Sequence, residues 1–395
     1  METFILKTLL NKLTGLMMTK MEDYMEIKIN RDEIYKAVSK VQTIIEKRSN
    51  MPILSMVLLN AGESELHLSA TDLEISFQQK IPAEVINPGS VTISGRKLFE
   101  ILKECKNPKM HIREKENNWV FLTDDQVRYN LACLPSDEYP LLLEPEGVDL
   151  MEVDGSVLKE MINKTIFSVT LEEAGFKLSG VFTEKVTQEG RFYLRMVSTD
   201  GHRLSLIEKE MADVQKLKID AGIMIPKKGM LELNKLAGEG GPIHIGFKQN
   251  NCVARKENSL IVIRLLESKF PDYNAVVPKK TKSLAKVRRE ALLDGMKKMV
   301  ILSSEAYRGV KISLEKNSIE LVSINPDLGD AQERMEVEYK GDRIEAGFNA
   351  RYFIDVLQAM ESEVVDLGFI DNSSPCIIKG KEDIGFLGLI MPMRL

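Results

Sequence analysis

"INRDEIYKAVSKVQTII" at residues 29–45 has two counterparts in plan, "VDGSVLKEMINKTIFSV" at 153–169 and "VRREALLDGMKKMVILS" at 287–303. Each reads as a helix of about three turns that passes into alternating strands, because the apolar period changes from 3.6 to 2. The strand stretches correspond as well. "PILSMVLLN" (52–60) and "ELHLSATDLEISF" (65–77) match "FKLSGVFTE" (176–184) and "FYLRMVSTDGHRLSLIE" (192–208), then "YRGVKISLE" (307–315) and "SIELVSINP" (318–326). Between them a second half recurs from Gly89, Ala221 and Ile344, again a strand, a helix and three strands.

Six units of one βαβββ plan make an α+β chain of three tandem domains, expected at 25–148, 149–272 and 273–395, with "VVPKKTKS" (276–283) as the linker into the third. Units that expose strand edges are expected to join sheet to sheet with their helices on one face, which bends three domains into an arc. An arc with unlike ends closes by pairing head to tail with a second copy, or grows into a filament.

Composition allows this. The chain has 395 residues, 44% hydrophobic and 29% charged, so it can build real cores. Its net charge of -5 gives no whole-chain signature of nucleic-acid binding. The six expected helices nevertheless carry a net +8, which leaves -13 for everything else. A basic helical face on an acidic protein suits a polyanion. With few aromatic residues and no base-reading pattern, contacts to phosphates without sequence reading are expected, weak and sensitive to salt.

Cys105, Cys133, Cys252 and Cys376 lie far apart and form no C-x-x-C, which argues against a zinc site or a disulfide framework and for a reducing cytoplasm. No run approaches the eighteen or so apolar residues that span a bilayer. Residues 1–24 repeat Phe4, Ile5, Leu9, Leu10, Leu13 and Met17 at helical spacing, but Lys7 and Lys12 interrupt the stretch and no cleavage site follows. They are expected to be a disordered extension or a start-site artefact, with a membrane-surface helix as the alternative.

Phosphate-loop, nucleophile-elbow and zinc-protease motifs are absent, and His67, His111, His202 and His244 fall in separate units, so neither metal nor cofactor is expected. One constellation invites a catalytic reading: in "STDGHRLS" (198–205) Asp200 could orient His202 as a base, which would make the chain a hydrolase. Against it, "TDG" reads as a turn between strands, and "ATDLEIS" occupies the same place in the first domain without a histidine. The segment serves better as a pocket wall, Gly201 allowing close backbone approach and Leu204 supplying apolar surface.

"STDGHRLS", "FPDY" (270–273), "RGV" (308–310), "GFNARYFIDVL" (347–357) and "MPMRL" (391–395) together resemble the bacterial sliding-clamp family, the beta subunits of DNA polymerase III. The resemblance covers residues 25–395. It implies half of a homodimeric ring, with helices inside and sheets outside, through which duplex DNA passes. Such a protein catalyses nothing; it tethers a polymerase for processivity and is opened by an ATP-driven clamp loader. A non-annular peptide-binding scaffold is the runner-up.

The family's peptide groove carries over to Leu178, Thr199, Gly201, His202, Arg203, Leu204, Pro271, Val276, Asn349, Tyr352, Leu389, Ile390, Met391, Pro392, Met393, Arg394 and Leu395. It would take short segments of the polymerase, the loader and repair proteins, and methionines suit a groove that repacks around different ligands. Ala275 stands where a basic residue is common in the family and Ser373 where an apolar one is, which bears on the groove's rim. By the same resemblance Arg48, Phe176 and Lys228 contact DNA, while Ile301 and Leu302 meet Tyr129 and Leu131 of a second copy.

Overall fold

The computed structural model describes residues 24–45, 50–142, 146–169, 179–219, 221–278, 280–302 and 309–394. The chain divides into two compact units, residues 1–144 with 257–262, and residues 145–256 with 263–395. Along it, six times over, one strand leads into a helix and then into three strands. We number the helices α1 (Arg31–Val41), α2 (Gly95–Glu104), α3 (Gly155–Asn163), α4 (Lys227–Ala237), α5 (Arg289–Ile301) and α6 (Ala350–Ala359).

The strand-to-helix step is written locally. At several of these steps a short polar side chain at the strand's end takes the free N–H groups of the next helix. Asn30 Oδ1 accepts from Asp32 at 2.9 Å and Glu33 at 3.2 Å, Asp154 Oδ1 from Ser156 at 2.7 Å, and Asn349 Oδ1 from Arg351 at 3.0 Å. Each such cap stabilises its helix by about 1 kcal/mol. The first helical N–H of each domain is satisfied from farther along the chain: Arg31 donates to Pro108 O at 2.8 Å, Gly155 to Gly241 O at 3.0 Å and Arg289 to Glu363 O at 2.9 Å. All three acceptors immediately precede a strand, Lys109–Lys115, Pro242–Lys248 and Val364–Phe369. The internal repeat is therefore one of backbone bonding as well as of sequence.

Helices pair within each domain. Tyr35 of α1 stacks on Phe99 of α2 with ring centroids 5.3 Å apart. Asn234 Nδ2 of α4 donates to Asn163 Oδ1 of α3 at 3.0 Å, and α5 lies against α6. No helix of the described residues is long and apolar enough to cross a membrane.

In the first unit the strands Arg128–Ala132, Trp119–Thr123, Lys109–Lys115, Glu26–Asn30 and Ile75–Asn87 follow one another across a sheet. The long Ile75–Asn87 strand serves two neighbours in succession: residues 76–82 pair with Glu65–Thr71 and residues 83–87 with Glu26–Asn30. Pro82, which has no N–H to give a ladder, sits at the hand-over.

In the second unit eight strands form one antiparallel sheet in the order Ile223–Pro226, Gly180–Gln188, Arg191–Thr199, Arg203–Glu210, Phe386–Ile390, Cys376–Gly380, Val364–Phe369 and Ser283–Arg288. The central ladder joins a strand of the second domain to the last strand of the third, with Leu204 opposite Leu389 and Arg203 opposite Ile390. This is the edge-to-edge joining that the repeats predict. A four-stranded sheet, Gly329–Glu336, Ser318–Asn325, Gly309–Glu315 and Ile344–Asn349, completes the third domain. Val197, Leu204, Tyr273, Ile377, Leu387 and Leu389 form a single buried cluster across the joint. At about 2 kcal/mol for each fully buried aliphatic side chain, apolar burial holds the two domains together.

Candidate binding groove

The turn at 199–203 is built the same way in three places. Thr199 Oγ1 donates to Arg203 O at 2.6 Å and accepts from Gly201 N at 3.1 Å, while Asp200 Oδ1 accepts from the N–H groups of His202 and Arg203, both at 3.0 Å. Thr71 with Asp72 and Thr123 with Asp124 make the corresponding bonds in the first domain. The third residue of each turn has a left-handed backbone: φ is 74° at Leu73, 70° at Asp125 and 86° at Gly201. A Cβ at residue 201 would meet nothing within 4 Å, so the glycine answers the backbone angle and not the close approach expected from the sequence.

This turn opens one wall of a groove of about 530 Å³ between the second and third domains. Thr199, Gly201, Arg203 and Leu204 come from the turn and its strand, Lys269 to Tyr273 with Val276 from the "FPDY" loop, and Leu389 and Met391 from the end of the chain. Leu204 and Leu389, 2% and 1% exposed, lie side by side in the central ladder, so the floor is the outer rim of the buried cluster. Phe270 stacks on Phe182 at 4.9 Å and meets Tyr273 edge-on at 6.4 Å, giving an aromatic side wall.

Polar groups hold these walls from behind. Arg195 Nη1 donates to the Tyr273 hydroxyl at 2.9 Å, and that hydroxyl donates in turn to Glu184. Burial, helped by Glu184, pushes the Tyr273 hydroxyl above the usual tyrosine range. Arg203 is 9% exposed and bonded through all three of its nitrogens: Nε donates to Asp200 at 3.0 Å, Nη1 to Asp355 of α6 at 2.5 Å and Nη2 to the Phe167 carbonyl at 2.7 Å. Its guanidinium also lies 4.5 Å from the ring centroid of Tyr352. Beside it, burial and then the charge of Arg203 hold Lys227 below the usual lysine range.

The final segment is pinned on both sides, Met391 N donating to His202 O at 2.9 Å and Met393 N to Gly347 O at 2.8 Å. Thr199, Gly201, Arg203, Leu204, Pro271, Val276, Leu389 and Met391 of the expected set therefore meet in one groove. The other expected residues sit around it. His202 is exposed and contributes its carbonyl, Asn349 caps α6, Tyr352 stacks on Arg203, and Ile390 is fully buried on the opposite side of the ladder. Pro392 is half-buried, whereas Met393 and Arg394 are exposed. Leu178 and Leu395 lie outside the described residues.

Lys269, Phe270, Asp272 and Tyr273 also line the groove; the last three belong to "FPDY", one of the motifs that carry the family resemblance, and Lys269 just precedes it. Ala275 is exposed, and Ser373 turns its hydroxyl to Asp371 at 2.9 Å. The catalytic reading of Asp200 and His202 has no support in this geometry, because the carboxylate is taken up by its own turn and by Arg203.

Of the residues expected to touch DNA, Lys228 is the half-buried second residue of α4, and Arg48 and Phe176 lie outside the described residues. The helical charge needs one correction. Lys164, counted into the basic face, is 2% exposed and paired with Asp383 at 2.7 Å and Glu160 at 2.8 Å. Lys36, Lys97, Lys159 and Lys297 are exposed on their helices. Tyr129 and Leu131 lie on Arg128–Ala132, the edge strand of the first unit's sheet. Ile301 ends α5 with 76% of its surface exposed, and Asn325 Nδ2 donates to Leu302 O at 2.7 Å. Near Asn325 in sequence, Ile324 and Leu328 are 68% and 62% exposed.

Three family models match the chain: the N-terminal domain of the DNA polymerase III beta subunit over residues 25–143, its central domain over 152–272 and its C-terminal domain over 274–394. The beta sliding clamp of Pseudomonas putida is 31% identical over 375 residues, 94% of this chain and 100% of the relative. The DNA polymerase III subunit beta of Pseudomonas aeruginosa superposes with a TM-score of 0.87 at 31% identity, covering 94% of this chain and 100% of that one. A Bartonella birtlesii sliding clamp bound to griselimycin gives a TM-score of 0.89 at 26% identity with the same coverage. With all three domains matched in order, the chain belongs to the DNA polymerase III beta subunit family, the bacterial beta sliding clamps.

Proposed function

We propose that this sliding clamp works as a head-to-tail homodimeric ring around duplex DNA, and that its groove captures short apolar segments of the polymerase III catalytic subunit, the clamp loader and repair proteins. The family is a non-catalytic processivity factor of DNA polymerase III. The observation that carries the peptide part is the groove itself: an apolar floor and an aromatic wall fit hydrophobic anchors, and its polar side chains are largely held by the protein. The griselimycin complex of the Bartonella relative supports binding of compact ligands to clamps of this family.

Exposed lysines on the helices support contact with phosphates at no fixed sequence, as a sliding protein requires. Two sheet edges, Arg128–Ala132 and Gly329–Glu336, together with the apolar set Ile301, Ile324 and Leu328, support pairing with a second copy. We place the domain boundaries at 25–148, 149–272 and 273–395 and the site of action in the cytoplasm, where four buried free thiols stay reduced.

The test is topological. Clamp loaded on nicked circular DNA should elute with the circle and be lost within minutes of linearising it. Equal retention on circular and linear DNA would leave a peptide-binding scaffold in place of the ring.

A further inference from the structure

Methionine is frequent in this chain, 20 of 395 residues, and most of the described ones are buried. Three are exposed: Met51 at 46%, Met391 at 37% and Met393 at 40%. Two of the three belong to the segment that closes the groove, and Met391 lines it directly. Their backbones are held by hydrogen bonds, Met391 N to His202 O and Met393 N to Gly347 O, which keeps the Met391 thioether at the groove. The groove that Met391 lines is largely apolar, with Leu204, Val276, Leu389 and Phe270 in its walls, and its Arg203 is already bonded to Asp200, Asp355 and the Phe167 carbonyl.

We propose that Met391, seconded by Met393, is an oxidation site through which peroxide weakens the groove for its peptide ligands. This rests on the groove reading above and adds a regulation to it. In the step, the thioether sulfur attacks one oxygen of hydrogen peroxide and the O–O bond breaks. An S–O bond forms and water leaves, so that sulfur loses two electrons and the peroxide gains them. The product sulfoxide is polar and chiral, which disrupts apolar interfaces, and methionine sulfoxide reductases reverse it. A flexible thioether that adapts to many ligands becomes a group that has to be desolvated whenever a peptide anchor enters.

The test uses the full-length protein, hydrogen peroxide and a fluorescein-labelled peptide carrying a Leu-Phe anchor pair. Sulfoxide is mapped by mass spectrometry and affinity is read by fluorescence polarisation. Peroxide should weaken binding roughly tenfold, and Met51→Leu should change nothing. M391L/M393L, measured against its own untreated affinity, should keep that affinity after treatment. Bound peptide should slow oxidation of Met391 but not of Met51, and the two reductases should restore affinity. The proposal is overturned if Met391 and Met393 oxidise with no change in affinity, if they stay reduced while Met51 oxidises, or if M391L/M393L loses affinity as the parent does. A parent protein that fails to bind the peptide before treatment would sink the groove reading itself, an outcome distinct from these.

Discussion

Arg203 shows how one side chain can hold a binding site together without being available to a ligand. Its Nε, Nη1 and Nη2 donate to Asp200, Asp355 and the Phe167 carbonyl, and its flat face covers Tyr352. Lysine could supply the charge but not the planar fork that spans these acceptors. Asp355 lies on α6 of the third domain and does not line the groove, whereas Asp200 belongs to the turn of the second. Arg203→Lys should therefore loosen the turn against α6 and weaken peptide binding about tenfold, as expected when a bidentate site receives a point charge. A double-mutant cycle with Asp355→Ala, read by urea denaturation, should give a coupling of about 2 kcal/mol. Additive losses would mean that the contact does not brace the joint. The sequence makes Arg203 legible as part of the site and hides its role, because Asp355 is 152 residues away along the chain.

At the scale of elements, the joint between Arg203–Glu210 and Phe386–Ile390 was foreseeable from the repeats, because each βαβββ unit ends on a strand that needs a neighbour. The polar lock beside it was not. Lys164 follows α3 at helical spacing from Glu160 and reads from sequence as a surface cation. Only the tertiary fold brings it to Asp383, which is 1% exposed and also accepts from Glu361 N and Ser362 N, both at 3.0 Å. Burial alone would raise the Asp383 pKa, but the bonds from Lys164 and Ser362 outweigh it and hold the carboxyl below the usual aspartate range. The sign follows from that. The stabilisation is present in full above the unfolded-chain value of about 3.9 and is lost as pH falls through the lower folded-state value. Asp383→Asn removes the buried one of the two carboxylates on Lys164 and leaves it Glu160 alone, so it should cost about 3 kcal/mol at neutral pH. It should also flatten the acid limb of stability measured by urea denaturation between pH 5 and 2. An unchanged limb would place the acid sensitivity elsewhere.

For the whole molecule, three domains of one plan were legible because the period changes and the turn chemistry recur in every repeat. Ring closure is proposed on family resemblance, since a repeat says that ends exist but not what they meet. The physical handle on closure is the apolar set of Ile301, Ile324 and Leu328 on the third domain, where charge would be expected on a solvated surface. In a head-to-tail pair each contact occurs twice, so one substitution acts at two interfaces. An aspartate buried there costs about 2 kcal/mol per contact, which doubles and weakens dimerisation roughly a thousandfold. Ile301→Asp should consequently sediment as a monomer at micromolar concentration, and Ile324→Asp should do the same. Both variants should keep the labelled peptide at parental affinity, because neither residue lines the groove, yet neither should stay on circular DNA. A dimer that persists in both would move closure to other residues. Monomers that still remain on circles would show that retention does not depend on a closed ring.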